Sequence, residues 1–212
     1  TGLGQGAGQD CALCGAGKYS TGLGMRDGGD CAACGPGTYS AVLGASAEAA
    51  CVSCGPGKYS NSSGLAAESD CEPCDAGRYQ TGLGMTAEVD CSLCGAGKYA
   101  TGFGLTREAQ CASCGAGTYQ TGSGLRDPGA CSLCGAGKYE PHPAAPSEAG
   151  CLLCGPGKYQ TGAGLIDEGN CSLCGAGGFQ TGFGMAGAEN CTACGAGKYQ
   201  SGSGLALEAG CT

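Results

Sequence analysis

The sequence predicts a small disulfide-rich fold, mostly β or irregular, in which tandem 20-residue repeats stack as an elongated solenoid or superhelical rod. Three observations favour this class. Cysteine accounts for 21 of the 212 residues, a proportion typical of disulfide scaffolds. The motif Cys-x-x-Cys recurs every 20 residues without insertion or deletion. Aromatic residues are only 6% of the chain and tryptophan is absent, so the material for one large apolar core is scarce.

The repeats begin at residues 11, 31, 51, 71, 91, 111, 131, 151, 171, 191 and 211, and we call the first cysteine of a repeat position 1. The consensus is C-x-x-C-G-A/P-G-K-Y-Q-T-G-x-G-L-x-x-x-x-D/G. Residues 1–212 therefore form one continuous array. Because the chain starts and stops inside a repeat and lacks atypical capping repeats, we expect it to be a segment of a longer array.

A single repeat cannot fold alone, because one tyrosine, one leucine or methionine and a few small residues bury too little surface. Stacking on neighbouring repeats and disulfides must supply the missing stability. A disulfide that closes a loop of about 18 residues contributes about 3 kcal/mol. A constant repeat length favours a constant rotation between repeats, and hence a regular superhelix.

Two predictions for the local structure stay open. Positions 8 to 15 alternate between two faces, with Tyr99, Thr101, Phe103 and Leu105 on one of them, which is the period of a β-strand. Alternatively, the segment Thr-Gly-x-Gly is a turn in which glycine takes a positive φ. Helix is expected only as single turns, because glycine or proline interrupts every stretch long enough for a stable helix.

The cysteines allow three interpretations. In the first, position 4 of one repeat forms a disulfide with position 1 of the next, which leaves Cys11 without a partner in this segment. In the second, each Cys-x-x-Cys is redox active, although no nearby helix or cationic cluster lowers the thiol pKa. In the third, pairs of motifs bind zinc, which would impose twice the observed period. The first interpretation pairs, in order, Cys14 and Cys31, Cys34 and Cys51, Cys54 and Cys71, Cys74 and Cys91, Cys94 and Cys111, Cys114 and Cys131, Cys134 and Cys151, Cys154 and Cys171, Cys174 and Cys191, and Cys194 and Cys211.

Charge and composition argue against several classes of function. The net charge of −8 disfavours nucleic acid and anionic membrane surfaces as partners. No run of 18 apolar residues is present to insert into a membrane. The sequence contains no phosphate-binding loop and no spaced calcium loop, and its only histidine, His142, lies in an irregular repeat. We therefore expect no catalytic site, no cofactor and no metal site.

Four surface features each have a functional and a structural interpretation. Asn61, Asn170 and Asn190 lie in N-glycosylation motifs, although the last two also replace an aspartate that commonly precedes the first cysteine. The tyrosines at position 9 form a binding row or pack on disulfides and the next repeat. The lysines at position 8 and the acids at positions 16 to 20 set lateral register or form a solvated face. The segment around His142, which contains three prolines, predicts a local bend or a docking point.

The string C-G-A-G-K-Y-Q-T-G-x-G, followed by six residues and C-x-x-C, resembles the ephrin-type A/B receptor-like cysteine-rich repeat. It is also similar to the first module of tumour-necrosis-factor-receptor cysteine-rich domains. In that module the first cysteine pairs with the cysteine that opens the next C-x-x-C, which implies the pairing of Cys14 with Cys31. Position 5 departs from the family, because it is glycine, or Asp75 once, where the family often has proline. Long regular arrays resemble algal and protist surface proteins such as flagellar hairs, called mastigonemes.

The array and this resemblance together predict a non-catalytic, extracellular or cell-surface structural protein that carries glycans. It would form a filament or appendage, such as a mastigoneme, sheath or wall fibre, by self-association or with a partner fibrous protein. The alternative is the stalk of a receptor or adhesin that displays a binding domain outside this segment. A stalk would stay monomeric, whereas a filament subunit would self-associate through its side-chain rows.

Overall fold

The computed structural model describes residues 12–23 and 26–212. Cys11, which the first interpretation leaves without a partner, lies outside the described residues. The chain divides into two compact units. The first contains the described residues up to Ser92 together with Phe103–Arg107, and the second contains Leu93–Gly102 and Glu108–Thr212.

Every strand in the described part of the chain has two residues, and the strands occupy positions 8 and 9 or positions 2 and 3 of a repeat. The strands are β1 (Lys18–Tyr19), β2 (Ala32–Ala33), β3 (Thr38–Tyr39), β4 (Val52–Ser53), β5 (Lys58–Tyr59), β6 (Glu72–Pro73), β7 (Arg78–Tyr79), β8 (Ser92–Leu93), β9 (Lys98–Tyr99), β10 (Ala112–Ser113), β11 (Thr118–Tyr119), β12 (Ser132–Leu133), β13 (Lys138–Tyr139), β14 (Leu152–Leu153), β15 (Lys158–Tyr159), β16 (Ser172–Leu173), β17 (Gly178–Phe179) and β18 (Thr192–Ala193).

Consecutive strands pair as separate two-stranded sheets, β1 with β2, β3 with β4 and so on to β17 with β18. The pairing in β5 and β6 is antiparallel, with Lys58 opposite Pro73 and Tyr59 opposite Glu72. Each sheet therefore joins the Lys-Tyr segment of one repeat to the residues that follow the first cysteine of the next. The fold is disulfide-rich and built from short strands, with no α-helix among the described residues.

A three-residue 3-10 turn precedes the first cysteine of the following repeat. These turns span Gly28–Asp30, Glu48–Ala50, Glu68–Asp70, Glu88–Asp90, Glu108–Gln110, Pro128–Ala130, Glu148–Gly150, Glu168–Asn170, Ala188–Asn190 and Glu208–Gly210. The expectation that helix occurs only as single turns is confirmed for the described residues. Glycine and proline in every repeat prevent the longer run of intrahelical hydrogen bonds that an α-helix needs.

The conformation of the Thr-Gly-x-Gly segment decides between the two local predictions. The strand ends at position 9, so a continuous strand over positions 8 to 15 is wrong. The second glycine of the segment, at position 14, has a positive φ, for example +77° in Gly64 and +66° in Gly104. This backbone conformation is open to glycine and strained for other residues. The turn interpretation is therefore correct at position 14.

The most deeply buried side chains are cystines, not aromatic or aliphatic residues. The position-4 cysteines Cys34, Cys54 and Cys74 are 0% exposed, whereas the tyrosines of β1–β16 are only half-buried. Most of the leucines and methionines at position 15 are also half-buried. The interior of each compact unit is therefore built mainly around disulfides, as is usual for small domains with too little apolar material for a core.

The irregular segment around His142 follows the same backbone path as the regular copies. Ala144 donates its N–H to the carbonyl of Cys114 at 2.9 Å, and Tyr119 forms a parallel bridge with Ala145, as in the other repeats. The predicted local bend is therefore wrong for the backbone of this repeat. Pro141 and Pro143 fit because positions 11 and 13 use no backbone N–H in the hydrogen bonds between described residues.

Candidate functional site: the ladder between repeats

Ten disulfides join the 20 cysteines between Cys14 and Cys211. Each links position 4 of one repeat to position 1 of the next, and the Cα–Cα distances run from 5.6 Å to 6.1 Å. These are the ten pairs of the first interpretation. A pairing inside Cys-x-x-Cys does not occur among them, and cystine sulfur offers no thiolate to zinc or to redox chemistry.

Backbone hydrogen bonds join each repeat to its successor inside a compact unit. Between the repeats that begin at Cys31 and Cys51, one pair of bonds flanks the disulfide and another flanks the strand. The bonds run from the N–H of Gly37 to the carbonyl of Ser60 (2.8 Å), from Ser40 to Leu65 (3.0 Å), from Cys54 to Gly37 (2.8 Å) and from Gly64 to Cys34 (2.8 Å). We call this set the inter-repeat ladder. The ladder satisfies backbone groups that a repeat on its own would leave unpaired.

The glycine at position 7 allows a repeat to touch the repeat after the next one. In Gly37, with φ +73°, a Cβ atom would lie 2.8 Å from the carbonyl carbon of Gly84. The same distance separates a Cβ on Gly117 from the carbonyl carbon of Gly164. At these two glycines a side chain is therefore excluded by contact as well as by φ. In each compact unit, contacts therefore extend over three consecutive repeats.

A row of buried polar side chains at position 10 lies under the Thr-Gly-x-Gly turn. Gln80 accepts a hydrogen bond from the N–H of Gly82 at 2.7 Å and donates one to the carbonyl of Asp90 at 2.6 Å. Glu140, which is 5% exposed, accepts from the N–H of His142 at 2.8 Å. The amide and carboxylate oxygens here replace the backbone partner that the turn lacks.

Two kinds of side-chain cap hold 3-10 turns, and both occur in the turn Gly28–Asp30. In Asp70, at position 20, the carboxylate accepts from the N–H groups of Ala66 and Ala67 at 3.1 Å and 2.9 Å. In Asp167, at position 17, the carboxylate accepts from the N–H of Gly169 at 2.6 Å. Aspartate at position 17 always coincides with glycine at position 19, because a Cβ on Gly169 would lie 2.9 Å from the carboxylate oxygen.

The basic residues at position 8 pair with acids of their own repeat. Among the described residues, six repeats contain such an ion pair with position 18, for example Lys98 with Glu108 at 2.9 Å and Lys158 with Glu168 at 3.0 Å. Their side chains are a quarter to a half exposed. Exposed pairs of this kind contribute at most about 1 kcal/mol each. The pairs therefore close individual loops, and neither sequence interpretation foresaw that role.

The tyrosines at position 9 contact the following repeat. Tyr59 forms a parallel bridge with Met85, and burial raises the pKa of its hydroxyl above the ordinary value of 10.0, an effect that the hydrogen bond to Glu72 increases. Burial also raises the pKa of Tyr139, and the nearby carboxylates of Glu168 and Asp167 add to it. This placement favours the packing interpretation of the tyrosine row over a free binding row.

The three asparagines in acceptor motifs are exposed but differ in surroundings. Asn190 accepts a hydrogen bond from the N–H of Gly187 at 3.2 Å, the bond that Asp70 makes in its own turn, so it replaces a capping aspartate. Asn170 ends a 3-10 turn that Asp167 caps. Asn61 lies in the exposed Thr-Gly-x-Gly loop, beside Ser62 and Ser63, and its side-chain oxygen accepts a hydrogen bond from the Ser62 hydroxyl at 3.3 Å.

Among residues 12–23 and 26–212, no group of three or more His, Cys, Asp and Glu is placed to hold a metal ion. No helix in the same residues is long and apolar enough to cross a membrane. The surface instead carries isolated apolar side chains at position 13. Among them, Leu43 is 64% exposed, Leu83 62%, Phe103 64% and Phe183 61%.

Comparisons with known proteins identify no relative of this chain. No protein-family model matches it, and no curated protein matches it at a significant level. The resemblance to the ephrin-type receptor-like repeat therefore rests on the sequence motif, and membership of that family stays a prediction.

Proposed function

We propose that the chain is an extracellular structural protein whose repeats stack as a solenoid and assemble into a filament or cell-surface appendage. The observation that carries this proposal is the inter-repeat ladder, which, together with a disulfide, joins consecutive repeats by four backbone hydrogen bonds, as between the repeats that begin at Cys31 and Cys51. Disulfides at this density are typical of proteins from oxidising, extracellular compartments. The polar side chains described above form hydrogen bonds and ion pairs inside turns and loops of the fold.

The mechanism is mechanical resistance. A pulling force along the chain reaches each repeat at its position-1 cysteine and leaves through position 4, where a covalent bridge spans the intervening loop. The loop from Cys34 to Cys51, with 17 residues of sequence separation, therefore cannot be extended without breaking the bond between the two sulfur atoms. A cut inside the same loop would leave its two ends joined by the disulfide.

Assembly would use the exposed apolar residues at position 13. Side chains such as Phe103 and Phe183 are more than half exposed, and burying them against a second chain would remove apolar surface from water. The position does not support the fold, because other repeats carry Ser63, Ser123 or Ser203 there. Serine is therefore a replacement that other repeats already carry at position 13, and it suits a test.

The test compares the oxidised full chain with a variant that carries Phe103→Ser and Phe183→Ser. Sedimentation velocity and negative-stain electron microscopy over a concentration series measure the shape and the association state. We expect elongated particles that associate with rising concentration, and a weaker association in the variant. An unchanged disulfide map in the variant shows that the fold is retained.

Elongated particles that stay monomeric at every concentration would overturn the filament proposal and favour the stalk of a receptor or adhesin. Compact particles would overturn the solenoid as well. Association that the two serine substitutions leave unchanged would contradict the role of position 13 while leaving self-association in place.

A further inference from the structure

Position 11, the residue that opens the Thr-Gly-x-Gly loop, is exposed in all ten copies. The residues at this position are Thr21, Ala41, Asn61, Thr81, Thr101, Thr121, Pro141, Thr161, Thr181 and Ser201. Seven of the ten therefore carry a hydroxyl group, and an eighth is an asparagine.

The fold does not use this residue. No hydrogen bond between described residues involves the backbone or a hydroxyl group at position 11, and Pro141 occupies the position without changing the ladder around it. Alanine is also accepted, in Ala41. Neither packing nor hydrogen bonding explains why hydroxyl residues predominate here.

The asparagine in this row lies in a glycosylation motif of its own. Asn61 is followed by Ser62 and Ser63, which completes an N-linked acceptor motif in the same loop where other copies have threonine. Its neighbours Ser62 and Ser63 are exposed as well. The substitution thus replaces one kind of sugar acceptor by another at the same place on the surface.

We propose that position 11 is a row of O-glycosylation sites, one in each repeat that has threonine or serine there. A glycosyltransferase joins the hydroxyl oxygen to the anomeric carbon of a nucleotide-sugar donor. The bond from that carbon to the donor's phosphate oxygen breaks, the nucleotide diphosphate leaves, and the hydroxyl proton passes to a base of the transferase. The sugars would then be spaced by one repeat along the ladder.

The chain contains matched threonines that the proposal excludes. Thr38 and Thr118, at position 8, are half-buried, and their hydroxyl groups donate to the carbonyls of Gly35 at 2.7 Å and Gly115 at 2.6 Å. These hydroxyls are engaged within the fold, whereas the hydroxyls at position 11 are open to a transferase. If exposure decides which hydroxyls are modified, the threonines at position 11 carry sugars and Thr38 and Thr118 do not.

The test is site mapping on the natively isolated full chain, digested without reduction and fragmented by an electron-transfer method that keeps sugars attached. We expect hexose, pentose or N-acetylhexosamine masses on Thr81, Thr101, Thr121, Thr161 and Thr181, and none on Thr38 or Thr118. In the native host, Thr101→Val keeps the branched side chain and should remove the sugar from that peptide alone, with an unchanged disulfide map.

Unmodified position-11 threonines would overturn the proposal, and so would equal modification of Thr38 and Thr118. A Thr101→Val chain whose peptide keeps its sugar would place the sugar on another residue and would also overturn it. The masses do not depend on the association state of the chain, so this result is separate from the filament test.

Discussion

Replacing Gly117 by alanine tests whether contact between a repeat and its next-but-one neighbour holds the ladder together. Gly117 has φ +77°, and a Cβ there would lie 2.8 Å from the carbonyl carbon of Gly164 and 3.1 Å from a methyl group of Ile166. The left-handed conformation costs alanine about 1–2 kcal/mol. Forcing an extra carbon into a packed contact costs about 1–3 kcal/mol. The expected local loss is therefore about 2–5 kcal/mol.

Hydrogen exchange of individual amides measures this loss, because exchange reports the free energy of local opening. The amide of Gly164 donates to the carbonyl of Cys134 at 2.8 Å, and the amide of Cys134 donates to the carbonyl of Gly117 at 2.9 Å. A loss of about 2 kcal/mol or more accelerates their exchange at least about 30-fold. A thermal midpoint for the whole array is less suitable, because repeat arrays need not unfold in one step.

The matched control lies two residues away in the same repeat. A Cβ on Gly115 would meet nothing within 4 Å, so Gly115→Ala should leave the exchange of Gly164 and Cys134 unchanged. Equal exchange in the two variants would refute the reasoning, because it would mean that the contact with Gly164 carries no free energy.

Three further predictions concern single side chains. Glu140→Gln should stabilise its repeat by about 1 kcal/mol, measured by the same exchange method, because an amide can donate to the carbonyl of Gly150 as Gln80 does to that of Asp90; faster exchange in the variant would contradict this. Ala144→Gly should gain about 1 kcal/mol, because Ala144 has φ +67°, and a loss would contradict this account of strain. Because the pKa of Tyr59 is raised in the folded state, it stabilises the fold below pH 10, and this stabilisation is lost as the pH rises through the folded-state pKa. Glu72→Gln should therefore move the absorbance titration of the Tyr59 phenolate to lower pH. An unchanged titration would contradict the role of Glu72.

The repeat period follows from the spacing of the cysteines. The disulfide between Cys14 and Cys31 was one of three interpretations that the sequence left open, beside redox-active Cys-x-x-Cys motifs and zinc sites. The turn at position 14 was also foreseeable, because glycine recurs there and its positive φ needs it. The competing strand was wrong because side-chain alternation looks the same whether or not a partner strand lies alongside.

The pairing of lysines with acids of the same repeat and the buried polar row were not foreseen. Lys98 and Glu108 are ten residues apart, and no helical or strand period brings such residues together; only the fold of the loop does. The burial of Gln80 under a turn could not be predicted either, because glutamine side chains are exposed in most proteins. One signal in the sequence was not used. Aspartate at position 17, as in Asp167, occurs only in repeats that have glycine at position 19, as in Gly169.

The sequence by itself determined the repeat length, the scarcity of apolar core material and the need for glycine where φ is positive, because these depend on spacing and on the chemistry of single residues. Only the tertiary structure showed that Gly37 must be glycine for a second reason besides its positive φ. Its φ is a local property, but its approach to Gly84 depends on how far each repeat advances past the one before. That advance is set by the disulfides and backbone hydrogen bonds between repeats. Each of these bonds joins two different repeats, so a single copy of the consensus does not contain both of its partners.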